Sequence, residues 1–261
     1  MTKVALELIK TKYAKPDHVN NDDKTVLILA CKNKMKEVAL ELIKTGHAKP
    51  DHVDKDNNTA LIWACQNEMK EVALELIKTG HAKPEQVNHN GNTAFMLVCY
   101  HNKYCKNDLM EYYNNMKEVA LELIKTGHAK PEYIDKNGNT ALMCACMHGI
   151  SEVALELIKT GHANPDHIDN DGNTAFSWAC KKDMKEVALE LIKMGHANQD
   201  HINNDGNTAL SWVCEKGMKD VAYELISIGT FTINDLLFLK PKWVPEELLI
   251  VNPVDVTEVN I

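Results

Sequence analysis

The chain has 261 residues, 44% hydrophobic and 25% charged, which fits one or two folded soluble domains or a single elongated array. Its formal net charge of -8 disfavours phosphate backbones, and all 29 basic residues are lysine, so the bidentate fork arginine offers to phosphates and guanine edges is missing. Nucleic acid is therefore not an expected partner, and the abundance of Lys, Asn and Ile also fits an AT-rich genome.

The chain opens on Met1-Thr2-Lys3-Val4-Ala5-Leu6-Glu7, which is amphipathic and carries Glu7, unlike the apolar region of a secretory signal. No apolar run approaches the ~20 residues of a membrane-spanning helix. A cytoplasmic protein off the membrane, with reduced thiols, is the expectation.

Val4-Ala5-Leu6-Glu7-Leu8-Ile9 recurs from Val38, Val72, Val119, Val153 and Val187, with Val221-Ala222-Tyr223-Glu224-Leu225-Ile226 as a variant. The spacing is 34 residues except between Val72 and Val119, where it is 47, so one repeat carries thirteen extra residues. Self-similarity at such a period predicts a stack of like modules. The boundaries predicted are a half-repeat over 1–19 and repeats over 20–53, 54–87, 88–134, 135–168, 169–202 and 203–229. Residues 230–261 lie outside the repeat, and the insertion falls near 103–115.

Each repeat reads as two helices and a long loop. In Asp169-Asn170-Asp171-Gly172-Asn173-Thr174, Thr174 is placed to cap a first helix running through Ala175-Phe176-Ser177-Trp178-Ala179-Cys180. Met184 to Lys193 forms the second helix, ended by Gly195. The turn position is Asp23, Asn57, Gly91, Gly138, Gly172 or Gly206, all residue types that tolerate a left-handed backbone. Around the second helix Val38, Ala39, Leu40, Leu42 and Ile43 span an arc of roughly 200°, wider than packing on one neighbour requires. The fold class predicted is an all-α helical-repeat solenoid of six helix pairs, an N-terminal half-repeat and a C-terminal cap.

Asn-Thr-Ala-Leu-x-x-Ala-Cys followed by Glu-Val-Ala-x-x-Leu-Ile-x-x-Gly resembles the ankyrin signature over about residues 1–229. The 34-residue variant also resembles the ankyrin proteins of giant DNA viruses of amoebae. The resemblance implies a scaffold that binds proteins, host proteins if the viral likeness holds. The family proline is Ala in five repeats and Val26 in one. The family histidine is Ile28, Ile62, Met96, Met143, Ser177 or Ser211, so its hydrogen bond to the neighbouring loop is lost. Pro50 in Lys49-Pro50-Asp51-His52-Val53 suits a short helical turn rather than a regular β-finger.

Cys31, Cys65, Cys99, Cys146, Cys180 and Cys214 form one column. Stacked helices lie ~8–10 Å apart, beyond the ~7 Å Cα reach of a disulfide, so buried reduced thiols are expected. Neither Cys144 nor Cys105 completes a zinc set. His47, His81, His128, His162 and His196 form one histidine column; His18, His52, His167 and His201 form another. Both read as loop hydrogen-bonders rather than metal ligands. Trp63, Trp178 and Trp212 read as core. With no acid, base or nucleophile constellation, the chain is read as a non-enzyme that needs no metal or cofactor.

In ankyrin proteins the inner face combines loop tips with the ends of first helices, and partner choice is expected where repeats differ. The helix-end pairs here are Lys32/Asn33, Gln66/Asn67, Tyr100/His101, Met147/His148, Lys181/Lys182 and Glu215/Lys216. The function expected is a monomeric protein-binding scaffold. The alternative is an adaptor that recruits a ubiquitin ligase or other effector through its C-terminal segment, where Val244-Pro245-Glu246-Glu247-Leu248-Leu249 resembles the opening of an F-box. Leu109, Met110, Tyr112 and Tyr113 give the insertion an apolar side, and it is expected to extend the first helix of its repeat.

Overall fold

A computed structural model describes residues 2–10, 18–46, 48–100, 109–198 and 201–228. The chain divides into two compact units, Met1–Asn164 and Pro165–Ile261. In the first, α1 (Thr2–Lys10) precedes four helix pairs: α2 (Val26–Lys32) with α3 (Lys36–Lys44), α4 (Ala60–Gln66) with α5 (Lys70–Lys78), α6 (Ala94–Cys99) with α7 (Leu109–Lys125), and α8 (Ala141–Met147) with α9 (Ser151–Lys159). In the second, α10 (Ala175–Lys181) pairs with α11 (Lys185–Lys193), and α12 (Ala209–Lys216) with α13 (Lys219–Ser227). Within the first unit α2, α4, α6 and α8 form one layer, and α1, α3, α5, α7 and α9 the other. The repeated sequence thus produces a repeated two-layer stack. The described residues hold helices and no named strand, in agreement with the all-α reading.

The first helices start alike. The Oγ1 of Thr25, Thr59, Thr93, Thr140, Thr174 and Thr208 accepts the N–H three residues on, at 3.2–3.3 Å, satisfying one of the orphan donors of the first turn. At α10 the cap is reciprocal, since Ser177 Oγ also accepts from Thr174 N–H at 2.9 Å. Beyond the cap, Leu61, Ile62, Ala64 and Cys65 are fully buried, and the equivalent residues of α2, α6 and α8 match them within a few per cent.

Helix pairs are joined by a turn that leaves no slack. Met35, Met69, Ile150, Met184 and Met218 each donate N–H to a carbonyl five residues back, at 2.8–3.1 Å. The residue before each is left-handed: Lys34 (φ 56°), Glu68 (φ 62°), Asp183 (φ 55°), Gly149 and Gly217. This is the αL helix ending, and three repeats make it with a side chain that glycine would spare. In α5, Val72, Ala73, Leu76 and Ile77 are buried and Glu71 and Glu75 are exposed. Gly46, Gly80, Gly127, Gly161 and Gly195 follow the second helices with φ of 68–78°.

Two expectations need correction. The Pro50 loop makes one hydrogen-bonded turn, His52 N–H to Lys49 O at 3.3 Å, and no helix; Lys83–Gln86 and Lys130–Tyr133 do likewise. Proline fixes φ for the second position of such a turn, but one i→i+3 bond does not nucleate a helix. The insertion does not extend the first helix. α6 ends at Cys99, and Tyr100 leaves it in extended conformation (φ −76°, ψ 103°). The second helix grows backwards instead, and α7 runs seventeen residues from Leu109. Within it Met116 to Lys125 keep the register of Met69 to Lys78, with Met116 and Leu123 buried. Residues 101–108 lie outside the described set, as do His47, Cys105 and the predicted cap over 230–261.

Candidate partner-binding surface

The loop tips are built around one side chain each. Asn20, Asp54, Asn88, Asp135, Asp169 and Asn203 accept, through Oδ1, the N–H groups two and four residues on, at 2.7–3.1 Å. Their own N–H bonds to the carbonyl four residues on, and their carbonyl accepts from the residue three on. That third residue is Asp23, Asn57, Gly91, Gly138, Gly172 or Gly206, each with φ between 57° and 80°, so the six tips share the turn geometry expected of them. At Gly91 the requirement is also steric: a Cβ there would meet the Asp135 Cα at 2.9 Å. Among the described residues, isolated bridges, Val19 with Thr25 and Ile134 with Thr140, stand where a β-finger would have strands.

Whether this organiser is Asp or Asn decides what it does with its second atom. Asp54 and Asp169 accept the indole N–H of Trp63 and Trp178 at 2.9 Å, and Asp135 accepts the Tyr100 hydroxyl at 2.8 Å. Asn88 and Asn203 instead donate Nδ2–H to Asn58 and Asn173 of the preceding repeat, at 3.0 and 2.9 Å. These five side chains are buried to 2–9% exposure, where an unmade hydrogen bond is costly. Backbone bonds also tie neighbouring tips together: Lys55 N–H to Asp22 O, His89 to Asp56, Lys136 to Asn90, and Asn204 to Asp171.

Two members of the second histidine column, His52 and His201, hydrogen-bond as expected. His52 Nε2 lies 2.6 Å from Asp23 O and His201 Nε2 lies 2.8 Å from Gly172 O. A carbonyl only accepts, so each ring nitrogen donates, tying its loop to the tip at the start of the same repeat. In the other column His196 Nδ1 meets Asp166 Oδ2 at 2.8 Å. Among the described residues no three metal-ligating side chains gather around one point.

The helix-end residues fall into three groups. Some frame the stack: Asn67 Nδ2 donates to Cys31 O and Lys32 O of the preceding repeat at 3.1 Å, and Asn33 Nδ2 to Leu29 O at 2.9 Å. Tyr100 is half-buried, with its ring 5.5 Å from that of His148. Burial and the Asp135 bond push its hydroxyl pKa up to about 12, although the bond from Asn137 opposes this. Lys32 and Lys181 lie over indoles, Lys32 5.0 Å from the Trp63 ring centre and Lys181 4.7 and 4.8 Å from Trp178 and Trp212. Gln66, Lys182 and the Glu215–Lys216 pair (3.1 Å) are exposed, Met147 is half-buried, and His101 lies outside the described residues. The three tryptophans, expected in the core, are half-buried at this rim, because each indole N–H or face has a polar neighbour to meet.

Cys31, Cys65, Cys99, Cys146 and Cys180 are buried, as is Cys144; Cys214 is partly exposed. Desolvation pushes the Cys31 and Cys146 thiols up to about 12 and Cys214 to about 11, which disfavours their thiolate forms.

A family model described as "Ankyrin repeats (3 copies)" matches residues 2–86, 109–201 and 155–235, most of the chain. The chain belongs to the ankyrin repeat family. Among solved structures, the ankyrin repeat domain of Bcl-3, described as a unique member of the IkappaB protein family, matches with a TM-score of 0.56. The match covers 85% of this chain and 91% of that one at 21% identity, so the likeness is one of fold. No curated protein matches the chain. Ankyrin architecture accounts for the helix pairs and the stacked tips. The family is one of protein-interaction modules, typically non-enzymatic, and among the described residues no helix is long and apolar enough to cross a membrane. The Asp-or-Asn organisers stand at the start of each of the six tips. They were legible as an Asp or Asn after each Val or Ile at repeat spacing, but sequence reading passed over them for the glycines three residues later.

Proposed function

We propose that this ankyrin protein is a scaffold that holds a partner protein against the surface made by its loop tips and the ends of its first helices. One observation carries the reading: the backbone frame of that surface repeats while its outward side chains do not. All six tips keep one hydrogen-bond pattern, yet the helix ends present Gln66, Met147, Lys181 and Glu215 at equivalent places. A rigid frame with variable side chains is what selective binding needs, since little ordering entropy is lost on contact. The second helices do the opposite, repeating Glu-Val-Ala-Leu-Glu-Leu-Ile almost unchanged.

Affinity capture from lysate with three forms of the full chain tests this. Changing Gln66, Met147 and Lys182 together to Ala should release the captured partner, and changing Glu37, Glu41 and Glu75 on the second helices to Ala should not. Loss of the partner only with the second set would remove the inner surface from consideration.

A further inference from the structure

Nine residues after each organiser lies a position on the first helix, and the two positions match. Asp54 and Asp169 precede Trp63 and Trp178, and each carboxylate takes the indole N–H. Asn20 and Asn88 precede Leu29 and Leu97, whose side chains have nothing to donate. Asp135 precedes Cys144 and takes the Tyr100 hydroxyl instead. The last described repeat breaks the match, because Trp212 follows Asn203.

Asn203 cannot stand in for an aspartate there. Its Oδ1 already accepts the N–H groups of Asp205 and Asn207 at 3.1 and 2.8 Å, and its Nδ2 is a donor spent on Asn173 Oδ1 at 2.9 Å. Among the described residues the indole N–H of Trp212 meets no acceptor, and the ring is half-buried on α12.

Beside it stands a second uncommitted donor. The Lys181 ammonium lies 4.7 Å from the Trp178 ring centre and 4.8 Å from that of Trp212, all three within the second unit. Aromatic faces attract a cation but leave its N–H groups without oxygen acceptors. Among the described residues Lys181 has no carboxylate partner, whereas Lys193 on α11 has Glu190 at 3.8 Å.

Net charge does not choose the ligand. Exposed Asp171, Asp183 and Asp205 offset Lys181, Lys182 and Lys216 at these tips and helix ends, and Glu215 is paired with Lys216 at 3.1 Å. The two donors choose it. A carboxylate has an oxygen for each, with a charge-assisted bond to the ammonium; a neutral carbonyl gives the cation less, and a cationic side chain is repelled by Lys181. Tryptophan is also a residue type in which interfaces concentrate binding energy.

We propose that Lys181 and Trp212 hold the carboxylate of an Asp or Glu side chain of the bound protein. This rests on the reading of the first-helix ends as the binding face and names the chemistry that face takes in the second unit.

Short random peptides displayed on phage, selected in parallel on the full chain and on three variants, test it. Lys181→Met removes the charge, Trp212→Phe keeps a ring and removes the N–H, and Asn203→Asp offers Trp212 the acceptor that Trp63 and Trp178 have. Peptides retained by the parent and lost from the variants should share an Asp or Glu at one place. Replacing that acid by its amide should weaken binding at least about tenfold, as for loss of a charge-assisted hydrogen bond. Thermal melts within a few degrees of the parent show that the variants fold. Should Asn203→Asp melt earlier, because its carboxylate faces Asn173 Oδ1, the other two variants carry the test. Retention of every selected peptide by Lys181→Met and Trp212→Phe would overturn the proposal, as would a shared basic or apolar residue in place of the acid. If the selected peptides depend on Gln66, Met147 and Lys182 but not on Lys181 or Trp212, the scaffold reading survives and this inference does not.

Discussion

Asp54 and Asn88 occupy the same place in successive loops, differ by one atom type, and are not interchangeable. Asp54 Oδ2 faces the Trp63 N–H, so Asp54→Asn would set a donor against a donor. Asn88 Nδ2 faces Asn58 Oδ1, so Asn88→Asp would set an acceptor against an acceptor. Each near-isosteric change should cost about 1–3 kcal/mol in urea unfolding, the usual cost of stranding a buried polar group. A change below about 0.5 kcal/mol in both would mean that these bonds do not hold the tips. Lys34, left-handed at φ 56° and exposed, predicts the opposite sign. Lys34→Gly should stabilise by roughly 0.5–1 kcal/mol, because relief of the αL penalty outweighs the entropy glycine gains on unfolding. A loss of stability would show that the turn is not strained there.

At the scale of the element, the second helices rest on apolar burial along one repeated face. Leu76 is fully buried in α5, and Leu76→Ala should cost about 2–5 kcal/mol by equilibrium unfolding. A value near zero would put Leu76 on the surface and the helix in another register. The cysteine column gives a graded readout on the first helices. Cys31, Cys65, Cys146 and Cys180 should label slowly in native protein, and Cys214, partly exposed on α12, should label first. Uniform fast labelling would contradict the packing. Periodicity carried this level well: Val72, Leu76 and Ile77 announce a buried stripe, and Thr59 before Ala60 announces a cap. It failed at the insertion because Leu109, Met110, Tyr112 and Tyr113 fit helical spacing from either side. Whether they join α6 or α7 depends on Tyr100, whose extended backbone is secured by the distant Asp135. Trp63 and Trp178 sit at the rim rather than in the core for a related reason, since the carboxylates that accept their indole N–H lie nine residues away in sequence.

For the molecule as a whole, each repeat is secured mainly by its neighbours, so damage should stay local and loop length should matter little. Deleting the thirteen inserted residues restores the 34-residue spacing and should leave helicity and cooperative unfolding close to the parent. Loss of cooperativity would make the inserted part of α7 a component of the core. The central claim is that partners meet the loop tips and first-helix ends rather than the second helices. Amide hydrogen exchange on the complex with a captured partner tests it most directly. Protection gained at the tips around Lys55, His89 and Lys136 and at the ends of α4 and α8, with α3, α5 and α9 unchanged, is the expected result. Protection gained along α3, α5 and α9 with the tips unchanged would contradict the account.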